Sequence, residues 1–390
     1  MKGIASVLLT FLLFPPCLDA QGGDGSFTPR GFAATPLIDL GMKTYRGFEG
    51  GLYPHGSNTI PTEHAAAGLK LARQIQSLDV NGKPDPNGKI VITSIGMSNS
   101  MVEFGMFLRV ARGSPKVNSS HVAILNGAFG GDTACYYLSA FGPPPCSEHT
   151  ENVFDQVRDQ RFAPAGVTER QVQVVWILQA NGGPGVRGCG ANRFLPCRPL
   201  CDPKTPGCVN DALGTEALRY ESQLGELLRI ATVRWPNLKL AFLSSRVFAG
   251  NTKVPISPEP FAYEYGFSVK WLIEKQIAQE RTHAVDPVAG DLDFSRGAVP
   301  WVAWGPYLWA NGSAPRSDGL VWCNGEQFAP CHGEVDFQAD GTHPSPFGMK
   351  KVADLLMEFF LSSPFTSSWF KTPSAPARGE HAEADFSPRD

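Results

Sequence analysis

The chain has 390 residues, 42% hydrophobic and 18% charged, with 34 Lys and Arg against 37 Asp and Glu for a formal charge of −3. That balance belongs to a folded globular chain, not a disordered one. A slightly acidic chain with no Lys/Arg cluster excludes a nucleic-acid binder. Gly (41) and Pro (33) together approach a fifth of the residues, so long loops should separate the regular elements.

Residues 1–20 read as an export signal. Lys2 supplies the positive start, 4–14 is an apolar run too short to span a bilayer, Pro15-Pro16 ends it, and Ala20 is the expected last residue before cleavage. Cys17 offers the alternative of a lipid-modified cysteine, against which Phe14-Pro15-Pro16 argues. No later segment reaches the roughly eighteen unbroken apolar residues of a membrane helix. The mature chain is therefore expected to be secreted, periplasmic or extracellular, without an integral membrane segment. Residues 21–40 form a Gly/Pro-rich lead-in, 41–371 the main domain, and 372–390 a tail whose Pro, Ala, Glu and Arg content predicts disorder.

Helical periodicity runs over 63–78, with Ala67, Leu69, Leu71, Ala72, Ile75 and Leu78 apolar. A turn cluster at 81–88 leads into a buried-strand candidate at 89–95. Further strands are expected at 121–125, 172–179 and 238–244, and helices at about 100–112, 150–160, 213–233, 262–280 and 346–361. Continuously apolar strands alternating with helices predict an α/β fold with a mainly parallel sheet covered on both faces. Ligands in such sheets bind beyond the carboxyl ends of the strands. The first three strands all end in Gly/Asn/Ser-rich loops that can converge there. Two stretches interrupt the alternation. One is a Cys-rich insertion at 183–211. The other, 283–335, carries Trp301, Trp304, Tyr307, Trp309 and Trp322, which either fill the core or line a substrate cleft.

Nine cysteines are present, eight of them beyond the leader. An even number in an exported chain points to disulfides. Cys135–Cys146 and Cys323–Cys331 are the expected local pairs, with Cys189, Cys197, Cys201 and Cys208 pairing among themselves. Zinc is the rival reading for those four, although their spacing lacks paired Cys-x-x-Cys knuckles. Asn118-Ser119-Ser120 and Asn311-Gly312-Ser313 are glycosylation sequons if the host glycosylates.

Two stretches carry candidate chemistry. Gly96-Met97-Ser98-Asn99-Ser100 places a serine between small residues where a buried strand turns into a helix, so a nucleophile could stand among free backbone N–H groups. Asp340-Gly341-Thr342-His343 puts an acid three residues before a histidine in a Gly/Pro-bounded turn. His343 would take the proton of Ser98 through Nε2, and Asp340 would orient the ring through Nδ1. Asp336 is the alternative acid, and Asp132 is expected to be a structural hydrogen-bonder.

Together these blocks resemble the SGNH, or GDSL, hydrolases, a superfamily of serine esterases. The matching pieces are Gly96-Met97-Ser98-Asn99-Ser100, Gly130-Gly131-Asp132-Thr133, Gln179-Ala180-Asn181-Gly182 and Asp340 to His343, in family order across about 89–362. Met97 stands where the family's commonest first block has Asp. Gln179 and Gly182 replace the Gly and Asp of its third. Gly96-Met97-Ser98-Asn99 is also similar to the Gly-Gln-Ser-Asn of the sialate O-acetylesterase-like branch. The resemblance implies a flavodoxin-like three-layer α/β/α sandwich and a catalytic Ser98, His343 and Asp340. It also implies an oxyanion hole from the N–H groups of Ser98 and Gly131 and the Asn181 amide. An ordinary α/β-hydrolase elbow is disfavoured, because Ser100 stands where it needs Gly. The expected activity is hydrolysis of a carboxylic ester, foremost deacetylation of a carbohydrate, with no metal or organic cofactor. Trp301, Trp304, Tyr307 and Trp309 are the candidate substrate-binding residues. The alternatives are a lipase, phospholipase or polyester-type esterase, and an acyltransferase or a carbohydrate-binding relative without catalysis.

Overall fold

A computed structural model describes residues 28–29, 31–146, 150–182 and 197–373. The expected leader, the first part of the lead-in, about half of the Cys-rich insertion and nearly all of the tail lie outside the described residues. Among the described residues the first elements are a one-turn helix α1 (Leu37–Leu40), a short ribbon of β1 (Thr44–Tyr45) and β2 (Phe48–Glu49), and helix α2 (Thr62–Ala72). Then come β3 (Ile90–Gly96), α3 (Ser98–Arg112), β4 (Val122–Leu125), α4 (Val153–Val157) and β5 (Val172–Leu178). They are followed by α5 (Glu216–Arg234), β6 (Leu240–Leu243), α6 (Phe261–Thr282), β7 (Trp301–Trp304), α7 (Pro346–Ser362) and α8 (Ser367–Phe370).

The central sheet has five strands in the order β4-β3-β5-β6-β7, every neighbouring pair parallel. All seven residues of β3 and of β5 are buried, as expected of strands covered on both faces. Side chains alternate between two cores. Ile177, Ala241 and Leu243 join the core under α4, α5 and α6. Val174, Trp176, Leu240 and Phe242 join the core under α2, α3, α7 and α8. The α/β architecture with helices on both faces is therefore the one expected. The strand order reverses between β3 and β5, and such a switch point opens a crevice at the carboxyl ends of the strands.

Two expectations need correction. The helix expected at 63–78 stops at Ala72, because Leu78 pairs instead with Lys89 through reciprocal backbone bonds of 3.0 and 2.9 Å. The aromatic stretch 283–335 hides the fifth strand, β7. Trp301 and Trp304 lie on that strand, and Tyr307 and Trp309 follow it. Their exposures are 0%, 5%, 4% and 0%, so all four are core residues. Each keeps a polar handle bonded inside. The indole N–H groups of Trp301, Trp304 and Trp309 donate to the carbonyls of His64 and Leu52 and to Glu259, and the Tyr307 hydroxyl accepts the Leu37 N–H.

Cys135–Cys146, Cys201–Cys208 and Cys323–Cys331 are disulfides, and Cys197 is also disulfide-bonded. Such cross-links fit an oxidising compartment. Among the described residues, no helix is long and apolar enough to cross a membrane. Asn118 of the first sequon is buried, with its amide bonded to the Trp369 carbonyl at 3.3 Å.

Candidate active site

Ser98 is the first residue of α3, directly after β3. The helix has no side-chain cap, and its first backbone bond is Met101 N–H to the Met97 carbonyl. The N–H of Ser98 therefore has no intrahelical acceptor and lies at the positive end of the helix dipole. Gly96 is required at the strand end, because a Cβ there would lie 2.0 Å from Ser100 Oγ and 2.2 Å from the Leu178 carbonyl oxygen. Ser100 is buried and donates to that same carbonyl, so it is not available beside Ser98.

The Asp340–His343 turn reaches this point from 245 residues away. His343 Nε2 stands 2.9 Å from Ser98 Oγ, and His343 Nδ1 stands 2.6 Å from Asp340 Oδ2. The other carboxylate oxygen accepts the N–H groups of Thr342 and His343, each at 3.0 Å. Burial alone would raise the Asp340 carboxyl, but the bonds from the His343 ring and the two N–H groups outweigh it. They hold the carboxyl below its ordinary value. His343 and Asp340 keep 28% and 29% of their side-chain surface exposed, enough for an approaching ligand. The alternative acid Asp336 is fully buried and bonded to Lys351 and the Cys323 N–H, which leaves Asp340 as the partner of the ring.

The loop after β4 lies alongside. The Phe129 N–H donates to the Gly96 carbonyl at 3.3 Å, the Asn126 amide donates to the Met101 carbonyl at 2.7 Å, and Gly130 packs near the Met101 methyl. Gly131 has φ +88°, with open space where a Cβ would stand. That conformation needs glycine. No internal bond is made by the N–H of Ser98 or Gly131 among the described residues. Asp132 is buried, and its carbonyl accepts the Gln179 amide at 3.1 Å.

Asn181 departs from the expectation. Its side chain is fully buried, and its amide nitrogen donates to Glu216 Oε1 at 2.8 Å and Gln223 Oε1 at 2.5 Å. An amide has two N–H hydrogens, so none remains for an oxyanion in this arrangement. The Asn181 carbonyl oxygen accepts Ser257 Oγ at 2.5 Å and the Tyr265 hydroxyl at 3.3 Å, while Oδ1 has no partner. Two buried acceptors on α5 thus hold the side chain inside that layer.

Several supporting residues carried no sequence signal. Asn99 Nδ2 donates to the Thr342 carbonyl at 3.1 Å and ties the first turn of α3 to the histidine turn. The Thr252 and Thr342 hydroxyls are bonded, and Lys253 N–H donates to the Asp340 carbonyl at 2.8 Å. Gly341, at φ +67°, sits so close to Asn251 that a Cβ would meet its carbonyl oxygen at 1.9 Å. Only the Gly in Asp-Gly-Thr-His hinted at this contact. Asn99 and Thr342 lie inside the motif blocks but have no expected role there, and Thr252 and Lys253 belong to no motif. The one metal-type cluster among the described residues, Cys323, Glu326 and Cys331, has both thiols in a disulfide and so offers no thiolate ligands.

No family model matches the chain, and no curated protein matches it significantly. Among solved structures it is similar to a "putative acylhydrolase" from Bacteroides fragilis, with 11% identity, 77% of this chain and 97% of that chain covered, and a TM-score of 0.32. So loose a likeness carries no weight for the activity.

Proposed function

We propose that this chain is an exported serine esterase of the SGNH type. The observation that carries the reading is the continuous Asp340–His343–Ser98 relay, with contacts of 2.6 and 2.9 Å, at the carboxyl end of a parallel sheet. Ser98 attacks the ester carbonyl while His343 Nε2 accepts its proton. Asp340 fixes the Nδ1–H tautomer and stabilises the imidazolium. His343 then donates the proton to the departing alcohol. Water, deprotonated by the same nitrogen, releases the acid from the acyl-enzyme. The N–H groups of Ser98 and Gly131 are the oxyanion donors. They need no reorganisation, because one begins a helix and the other sits in a conformation only glycine adopts readily. A partly exposed histidine and acid suit an ester carried on a large substrate, and an acetylated carbohydrate is the reading we favour. The test is the wild-type protein and Ser98→Ala on a short-chain chromogenic acetate, on acetylated xylan and on long-chain esters. Wild-type activity on the acetates, lost in the variant by about 10⁴-fold or more, is expected. Activity retained in Ser98→Ala overturns the nucleophile. Preference for long chains replaces the carbohydrate substrate with a lipid.

A further inference from the structure

The histidine turn does not stand alone. It rests on the loop 249–254 that follows β6. Lys253 N–H holds the Asp340 carbonyl, the Thr252 hydroxyl meets that of Thr342, and the Gly341 backbone seats against the Asn251 carbonyl. That loop is in turn pinned by one buried side chain. Glu259, 0% exposed, accepts the Ala249 N–H at 2.9 Å and the Trp309 indole N–H at 2.8 Å on Oε1. Its Oε2 accepts the Tyr263 N–H at 2.9 Å. Its own N–H donates to Thr28 Oγ1, which donates to the Ala249 carbonyl at 2.9 Å. The segment also reaches the loop after β5, where Ser257 N–H donates to the Gly182 carbonyl at 2.9 Å. One carboxylate therefore joins the start of α6, the aromatic segment after β7 and the loop under the histidine turn.

We propose that Glu259 is a positioning residue for the relay: by accepting three N–H donors it holds the 249–254 loop where that loop sets His343 against Ser98. This inference rests on the esterase reading of Ser98 and His343. It makes the charge state of Glu259 matter, because all three partners are donors and an ionised carboxylate is the form that accepts them all. Burial pushes the Glu259 carboxyl up to about 7, against the pull of the Ala249, Trp309 and Tyr263 N–H groups and of Arg246. The other titratable groups coupled to it are Tyr45, Tyr263, Tyr307 and Glu264. Burial raises the three phenols far enough to stay neutral, and it pushes Glu264 up to about 8. Arg246 therefore supplies the opposing charge.

Glu259→Gln has the shape of the protonated acid at every pH. Its kcat on a chromogenic acetate is expected to be about 10- to 100-fold below wild type at about pH 9, with KM little changed, since a small misplacement of a catalytic group loses rate on that scale. The gap should close toward unity by about pH 5.5, where the wild-type carboxyl is itself protonated. A ratio flat with pH, or no loss at all, overturns the proposal, because a merely structural role has no reason to follow this carboxyl. Trp309→Phe keeps a ring and removes one donor, so a smaller loss in the same pH range is expected. It supplies the test if Glu259→Gln does not fold. If the wild type hydrolyses no ester, the esterase reading has failed. The positioning role is then read from the low-field Nδ1–H proton resonance of His343. Its broadening or loss in Glu259→Gln at about pH 9 supports the proposal, and an unchanged resonance rejects it.

Discussion

The loops after β3 and β5 start alike and end differently. Both follow fully buried strands in parallel register, with Gly96 opposite Leu178, and both continue in small and polar residues. After β3, Ser98 opens a helix, and its hydroxyl meets a partly exposed histidine from a distant turn. After β5, Asn181 is sealed: α5 supplies two acceptors for its amide, and Ser257 and Tyr265 bond its carbonyl. A polar residue at a strand end becomes reactive or structural according to what the rest of the chain lays over it. Its own strand-end motif does not decide the matter.

The largest expected effect probes the open side. Asp340→Asn should preserve the fold and lower kcat by about 10⁴-fold, as removal of the orienting carboxylate does in a serine triad. Rates within about tenfold of wild type would mean that the 2.6 Å contact to His343 is incidental. A smaller effect tests the sealed side. Asn181→Ala removes the donor to Gln223 Oε1 and one of the two donors to Glu216 Oε1, which keeps the Tyr265 hydroxyl, and a loss of about 1–3 kcal/mol in unfolding free energy is expected. The kcat of the folded variant should stay within about tenfold of wild type, whereas a lost oxyanion donor would lower it by about 10²- to 10³-fold with stability intact. That second outcome would break the contrast between the two loops.

The gentlest test uses pH alone. Burial pushes the carboxyls of Glu103, Glu221 and Glu264 up to about 8 and that of Glu259 to about 7, from 4.5. Between those values the folded chain keeps protons that the unfolded chain has released. Their stabilisation is therefore complete below about 4.5 and lost as pH rises through about 7 to 8. The urea midpoint should be higher at about pH 5 than at about pH 8. Asp340, on the open side, has the opposite sign: its folded value is lowered, so its contribution is lost only as pH falls through the acid range. A midpoint that rises toward pH 8 would show that the buried carboxyls fold ionised.

Much of the fold is legible in the chain because parallel strands buried on both faces must be continuously apolar. The runs at 90–95, 122–125, 172–178 and 240–243 have no other plausible place. β7 was hidden because its sequence, Trp-Val-Ala-Trp, sits among other aromatics that mark a binding surface as readily as a core. The end of α2 was hidden because Ile75 and Leu78 keep helical spacing while Leu78 pairs with Lys89. At the site, Ser98, Asp340 and His343 carry their own chemistry and stand out as short motifs. Glu259, Thr252, Asn99 and Glu216 carry none that a linear reading can rank.

The sequence by itself determined the layered α/β class, two of the local disulfides and the identity of the acid, base and nucleophile candidates. Each follows from a local pattern: hydrophobic periodicity, cysteine spacing, or an Asp three residues before a His. Tertiary structure alone decided that four aromatic residues are core, that Asn181 is committed to α5, and that the 249–254 loop hangs on the carboxylate of Glu259. Those are questions of which donor meets which acceptor across long separations. A buried polar group is bound to take whatever partner the packed layers bring to it.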